Sequence, residues 1–260
     1  MRPGSPALKP KRMKRLIPLF FALALGACAS GSHSHDAANS TGVFRVKPVR
    51  PVVELLPIAL ASTPPSESGD FRRADLVELT ALDPTIRLDI RYATTRNFLG
   101  TPLYGQARAF MQRPAAEALV RVHRSLAAEG YGLLVHDAYR PWYVTRIFWD
   151  AMPVELHKFV ADPAEGSRHN RGCAVDLTLY YLKTGRAVSM PSLYDEATER
   201  AYASYTGGTP EQRRLRDLLQ RHMEAEGFSV YEFEWWHFDY RDWKAYAIQN
   251  VRFEDIGRIR

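Results

Sequence analysis

The chain has 260 residues, a formal net charge of +6 and a sequence pI of about 9.3. Arg2, Lys9, Lys11, Arg12, Lys14 and Arg15 stand in the first 28 residues without one acidic neighbour, so the segment accounts for the excess. Without that segment the formal charge is close to zero, which excludes the basic surplus that nucleic-acid binding draws on. The apolar run Leu16 to Leu25 is too short to cross a bilayer comfortably and suits the core of a secretory signal.

Residues 29–73 read as a flexible tether. Gly31 to Asp36 are small and polar, and Pro48, Pro51, Pro57, Pro64 and Pro65 interrupt the second half of the stretch. Within it, Val52 to Ala61 offers an apolar patch that could dock on a domain. The folded domain is expected over residues 74–260, long enough for one substantial core. Thr85 to Tyr92 alternates apolar and polar residues and reads as a half-buried strand. Pro114 opens a helix through Leu119, Val122 and Leu126, and Gly130 closes it. Gly132 to Val135 is a second strand running into Asp137-Ala138-Tyr139-Arg140-Pro141, and Trp142 to Met152 is a helix. Ala174 to Tyr180 is a largely buried strand. Thr209-Pro210-Glu211-Gln212 is a capping box before a helix bearing Leu215, Leu218, Leu219 and Met223, and Gly227 ends that helix. The aromatic-rich run Val230 to Phe238 is a further strand. This order gives an α+β class, with helices packed on a mainly antiparallel sheet.

Two stretches carry chemistry when read together. Ser167-Arg168-His169-Asn170-Arg171-Gly172-Cys173-Ala174-Val175-Asp176 and Glu234-Trp235-Trp236-His237 offer two imidazoles and two carboxylates. His169, Asp176 and His237 suit one zinc ion per chain, because a catalytic zinc keeps three protein ligands and one position for water. Other divalent metals stay open on these donors. Glu234 is left to move protons, which points to metal-assisted hydrolysis. Gly172 allows a tight turn between two ligands. A carboxylate in the buried run around Asp176 needs a metal or a charge partner. Glu234 and His237 would face opposite sides of a regular strand, so a bulge or strand end is required between them. Cys173 reads as a small packed residue, with a competing thiol ligand as the alternative.

Both stretches match one family. Ser-x-His-x-x-Gly-x-Ala-x-Asp followed by Glu-Trp-Trp-His resembles the zinc D-alanyl-D-alanine dipeptidases of the vancomycin-resistance type. The likeness runs through Arg91-Tyr92-Ala93-Thr94, Asn97-Phe98, Gly132-Leu133-Leu134 and Tyr139-Arg140-Pro141, from about residue 75 to about 245. It implies that Arg140 supports the transition state, that Asp195 holds the free α-amine of a dipeptide, and that Tyr92 and Ser167 line the substrate pocket. It implies the dipeptidase and carboxypeptidase fold, and hydrolysis of D-alanyl-D-alanine with Glu234 as general base and acid. The rival readings are a zinc D,D- or L,D-carboxypeptidase trimming peptidoglycan stems, which should not need Asp195, and a non-catalytic zinc lipoprotein binding cell-wall peptides. Glu234 speaks against the last, since a structural zinc closes with four ligands and needs no spare base.

Leu25-Gly26-Ala27-Cys28 resembles the lipobox of bacterial lipoproteins. It implies lipid attachment at Cys28 and a place in the periplasm or cell envelope, on the outer membrane since Ala29 rather than Asp follows. With Cys28 acylated, Cys173 has no disulfide partner. An exported enzyme would meet the dipeptide released in the periplasm, so wall-dipeptide turnover is expected rather than glycopeptide resistance.

Overall fold

The computed structural model describes Met1 and residues 42–257. The signal segment, the lipobox cysteine and the start of the expected tether lie outside the described residues. In chain order the elements are α1 (Val52–Ala61), β1 (Leu76–Glu78), α2 (Leu79–Leu82), β2 (Arg87–Leu88), β3 (Phe110–Gln112), α3 (Arg113–Ala127), β4 (Tyr131–Asp137), α4 (Trp142–Ala151), β5 (Ala174–Tyr181), α5 (Pro210–Ala225), β6 (Phe228–Tyr231) and β7 (Glu234–Tyr240).

The main sheet has the order β2-β4-β5-β7-β6, and β1 pairs with β3 in a separate ribbon. β2 lies parallel to β4, and every other pairing is antiparallel. The α+β expectation with a mainly antiparallel sheet holds. β5 takes the central place because Ala174 to Tyr180 are buried without a break, as a strand covered on both faces must be. α3 turns Ala115, Leu119, Val122 and Leu126 inward, and α5 does the same with Leu215, Leu218, Leu219 and Met223. The capping box forms: Gln212 N donates to Thr209 Oγ1 at 3.1 Å, and Thr209 N donates to Gln212 Oε1 at 2.8 Å.

Three expectations need correction. The strand expected over Thr85 to Tyr92 shrinks to Arg87–Leu88, because Arg91–Ala93 coil into a 3-10 turn that sinks Tyr92 into the core. The amides of Leu103 and Tyr104 both donate to the Tyr92 carbonyl, at 2.7 and 3.0 Å, which uses the group a strand neighbour would have bound. Val230 to Phe238 is two strands, β6 and β7, folded back around Glu232 and Phe233, with Tyr231 opposite Glu234. The tether does not extend through residue 73. α1 buries Val52, Leu55 and Ala59 on one face, packing against α4, so the apolar patch docks. Val46 N donates to Phe98 O and Val49 N to Ala151 O, both at 2.9 Å, and Arg45 reaches the carbonyls of Thr95 and Asn97. Farther on, Glu67 forms a 2.5 Å ion pair with Arg171 and accepts from Ile248 N at 2.6 Å. Among the described residues no helix is long and apolar enough to cross a membrane.

Candidate active site

Asp176 and His237 are direct cross-strand partners of β5 and β7. Residues so paired hold their side chains side by side on one face of the sheet. His169 comes from a 3-10 turn just before β5, which ends at Gly172 with φ of 72°. A Cβ at Gly172 would stand 2.6 Å from Leu76 Cδ2, so the turn demands glycine by space as well as by backbone angle. Gln112 N donates to Gly172 O at 2.8 Å and Arg140 N to His169 O at 3.1 Å, tying the turn to β3 and to the end of β4.

The three groups converge. His169 Nε2 lies 3.1 Å from His237 Nδ1 and 3.3 Å from Asp176 Oδ1, and His237 Nδ1 lies 3.0 Å from Asp176 Oδ1. The outer nitrogens fix the tautomers: His169 Nδ1 donates to Ala138 O at 2.6 Å, and His237 Nε2 donates to Asp239 Oδ1 at 2.9 Å. With both rings neutral, two imidazole lone pairs and a carboxylate oxygen face one point without a donor among them. That set fits a divalent cation. Its charge balance agrees. Burial alone would lower the His237 pKa, but Asp239 and Asp176 outweigh it and push it up to about 10, so in the absence of a metal a proton takes the place on Nδ1 beside Asp176. Burial would raise Asp176, yet His169 and His237 hold it well below the usual carboxylate range.

Glu234 opens β7, where the register with β6 shifts between Val230 and Tyr231. The expected irregularity exists, and it swings the Glu234 carboxylate onto the metal side, with Oε2 3.8 Å from His237 Nδ1. Burial pushes its pKa up to about 7, with His237 opposing and Asp176 adding to the rise.

Arg140 is buried and forked onto Asp137, with Nε and Nη2 at 2.9 and 2.8 Å from Oδ2. Its guanidinium lies over the rings of Phe148 and Tyr92, 4.7 and 5.4 Å from their centroids. Tyr104 Oη donates to the other Asp137 oxygen at 2.8 Å. A bulge in β4 between Val135 and Asp137 brings Asp137 opposite Asp176 instead of leaving it on the far face. Asp195 has φ of 61°, a left-handed backbone that non-glycine residues adopt at a cost. Oδ1 accepts from Tyr92 Oη at 2.8 Å, whereas Oδ2 is buried with no partner among the described residues. Burial, then the charge of Asp176, lifts the Asp195 pKa well above the carboxylate range.

All the residues that sequence reading assigned to metal, catalysis and substrate line one cavity of about 340 Å³, sized for a small molecule. Cys28 lies outside the described residues. Ser167 also braces the metal turn, its Oγ accepting from His169 N at 3.0 Å. Cys173 is buried, its thiol pushed up to about 12 by burial, and stands apart from the ligand group. Three contributors escaped the sequence reading. Tyr194 Oη donates to Asp176 Oδ2 at 2.9 Å, Asp137 holds Arg140, and Asp239 holds His237. The signal for Asp137 was an acid closing an apolar strand three residues before Arg140. For Asp239 it was the two-residue spacing from His237 within a strand.

Comparison with known proteins supplies the lineage. Residues 72–256 match the family described as D-Ala-D-Ala dipeptidase. The D-alanyl-D-alanine dipeptidase of Escherichia coli (strain K12) is 33% identical over 179 residues, covering 69% of this chain and 91% of that protein. The protein of the same name from Enterococcus faecium is 35% identical over 175 residues, covering 60% of this chain and 87% of its own. Its counterpart in Enterococcus faecalis is 37% identical over 171 residues, covering 59% and 85%. Among solved structures, an LD-carboxypeptidase, LdcB, matches at a TM-score of 0.36 and 20% identity over 68% of this chain and 74% of that one, a likeness too loose to add to this. The chain belongs to the D-Ala-D-Ala dipeptidase family.

Proposed function

We propose that the chain is a zinc dipeptidase that hydrolyses D-alanyl-D-alanine to two D-alanines in the cell envelope. The observation that carries this reading is the lone carboxylate oxygen of Asp195, buried without a partner among the described residues in the cavity that holds the three candidate metal-ligand groups. Burial favours the neutral form of this carboxyl until a cation arrives to hold the ionised one, and the ammonium of an unblocked dipeptide is such a cation. A stem peptide, whose amine is already acylated, has none to offer there.

His169, Asp176 and His237 would hold the zinc. Zinc when bound supplies a Lewis acid that polarises the peptide carbonyl and acidifies water. Glu234, its pKa raised to about 7, takes the proton of the attacking water and returns it to the departing amine. Arg140, fixed by Asp137, offers its guanidinium to the oxyanion that develops at the carbonyl. Asp195 and Tyr92 hold the amine at a set distance from that carbonyl, which limits the substrate to two residues. The relatives named D-alanyl-D-alanine dipeptidase support the same substrate.

Release of D-alanine from D-Ala-D-Ala, with and without a chelator, tests this, run beside L-Ala-L-Ala and N-acetyl-D-Ala-D-Ala. Chelator-sensitive cleavage of the free D,D-dipeptide alone is expected. Cleavage of the acetylated form would move the reading to a stem-trimming carboxypeptidase. The envelope location rests on Leu25 to Cys28. Radiolabelled palmitate should enter the full chain and not a Cys28→Ala variant; equal labelling of both would remove the lipid anchor.

A further inference from the structure

Each histidine of the metal group leans on an outer acceptor, and the two acceptors differ in kind. His169 uses the backbone carbonyl of Ala138, whereas His237 uses the side chain of Asp239. His237 and Asp239 share one face of β7, as alternate residues of a strand do. On the neighbouring strands Asp239 stands opposite Ala174 and Ser229, both small, which leaves space beside its carboxylate. Arg168 fills that space. Its Nη1 lies 3.1 Å from Asp239 Oδ2, and its guanidinium rests 4.9 Å from the centroid of Trp243. Arg168 lines the cavity with its side chain 38% exposed, and the Asp239 side chain is 14% exposed, so this chain of contacts runs from the cavity wall to His237.

We propose that Asp239 is the positioning residue of His237, and that Arg168 anchors it, so that the two together set the chain's affinity for its divalent ion. This rests on the metal-site reading above. A carboxylate at Nε2 holds the proton on the outer nitrogen, keeps the inner lone pair aimed at the metal position, and raises the ring's donor strength. Asp239 is itself held by a cation stacked on an indole, which restricts the carboxylate to the rotamer that meets the ring. Arg168 directly precedes His169 in the chain, but among the described residues its side chain makes no bond to His169, Asp176 or His237, and the side-chain route from it to the ligand group runs through Asp239.

The test is the zinc dissociation constant of the full chain, measured by competition with a chromophoric chelator and without substrate. Asp239→Ala is expected to weaken zinc binding about 10–100-fold, the range for loss of an outer-shell carboxylate. Asp239→Asn keeps an acceptor and should lose less. Arg168→Gln should weaken binding several-fold alone and add nothing in the Asp239→Ala background. Affinity within twofold of the wild type in both Asp239 variants, at an unchanged unfolding midpoint, would overturn the proposal. Should Asp239→Ala fail to fold, Asp239→Asn and Arg168→Gln decide by the same measure. A wild-type chain that binds zinc yet cleaves no dipeptide would overturn the dipeptidase reading alone, and one that takes up no zinc would overturn both.

Discussion

Tyr92 Oη donates to Oδ1 of Asp195 at 2.8 Å, joining a 3-10 turn near the start of the domain to a loop 103 residues later. The bond leaves Oδ2 of Asp195 buried and without a partner among the described residues. Asp195→Asn keeps the acceptor for Tyr92 and removes the charge. It should lower kcat/KM for the free dipeptide by about 100-fold, as loss of a buried ion pair does, with zinc affinity unchanged. Steady-state kinetics beside a chelator competition would show both.

The same substitution should stabilise the protein. Asp195 has its folded pKa raised by burial, so folding favours its protonated form, and a penalty appears as pH rises above the unfolded carboxyl value of about 3.9. At pH 8 Asp195→Asn should gain about 1–2 kcal/mol in denaturant unfolding. The gain should shrink as pH falls through the unfolded value of about 3.9, and vanish below it, where the wild-type group is protonated in both states. A gain independent of pH would mean that the charge is not its source.

In the proposed mechanism Glu234 should set the acid side of the activity profile. Its carboxylate is the working form, and burial pushes its pKa up to about 7. A bound divalent cation favours the ionised form, so kcat/KM should rise with pH through an apparent pKa at or below about 7. Glu234→Gln should cost at least about 1,000-fold in kcat and abolish this limb while zinc stays bound. Loss of zinc along with activity would make Glu234 a ligand instead of a base.

Arg140→Lys keeps a positive charge but loses the fork onto Asp137. We expect kcat to fall about 100-fold, with a smaller change in KM. Asp137→Asn should act in the same direction, because an unanchored guanidinium points less well at the developing oxyanion. Equal activity of Arg140→Lys and wild type would remove Arg140 from the transition state.

Glu67 lies outside the family match yet pairs with Arg171 inside the metal turn. Glu67→Ala should cost about 1–3 kcal/mol of stability by leaving the Arg171 charge and the Ile248 amide without their shared acceptor. Chemical unfolding of the full chain would measure it.

The clustering of the candidate site was legible because its residues sit in short motifs whose spacing survives any packing: His169 and Asp176 around an obligatory glycine, Glu234 and His237 at a strand start. β5 and the capped helix α5 were legible because burial on both faces, and a threonine–glutamine pair, write directly into residue type. What failed depends on partners far away in the chain. The strand over Thr85 to Tyr92 was cut short by the amides of Leu103 and Tyr104 and by a tyrosine drawn to Asp195. The bulge beside His136 and the ion pair of Asp137 with Arg140 need the neighbouring strand before they mean anything. The ordered course of residues 42–73 was hidden by its prolines, which read as tether although Val52, Leu55 and Ala59 form a docking face.

The pairing of Asp176 with His237 across β5 and β7 ties chemistry to sheet alignment. A slip of one residue between these strands would turn one of the two groups away to the opposite face. An ion held by both would therefore act as a register pin, adding its binding energy only to the correctly aligned sheet. A chain misaligned at its centre could not be partly active, and growth without the metal would remove this added preference for the aligned form at the step where β7 closes on β5.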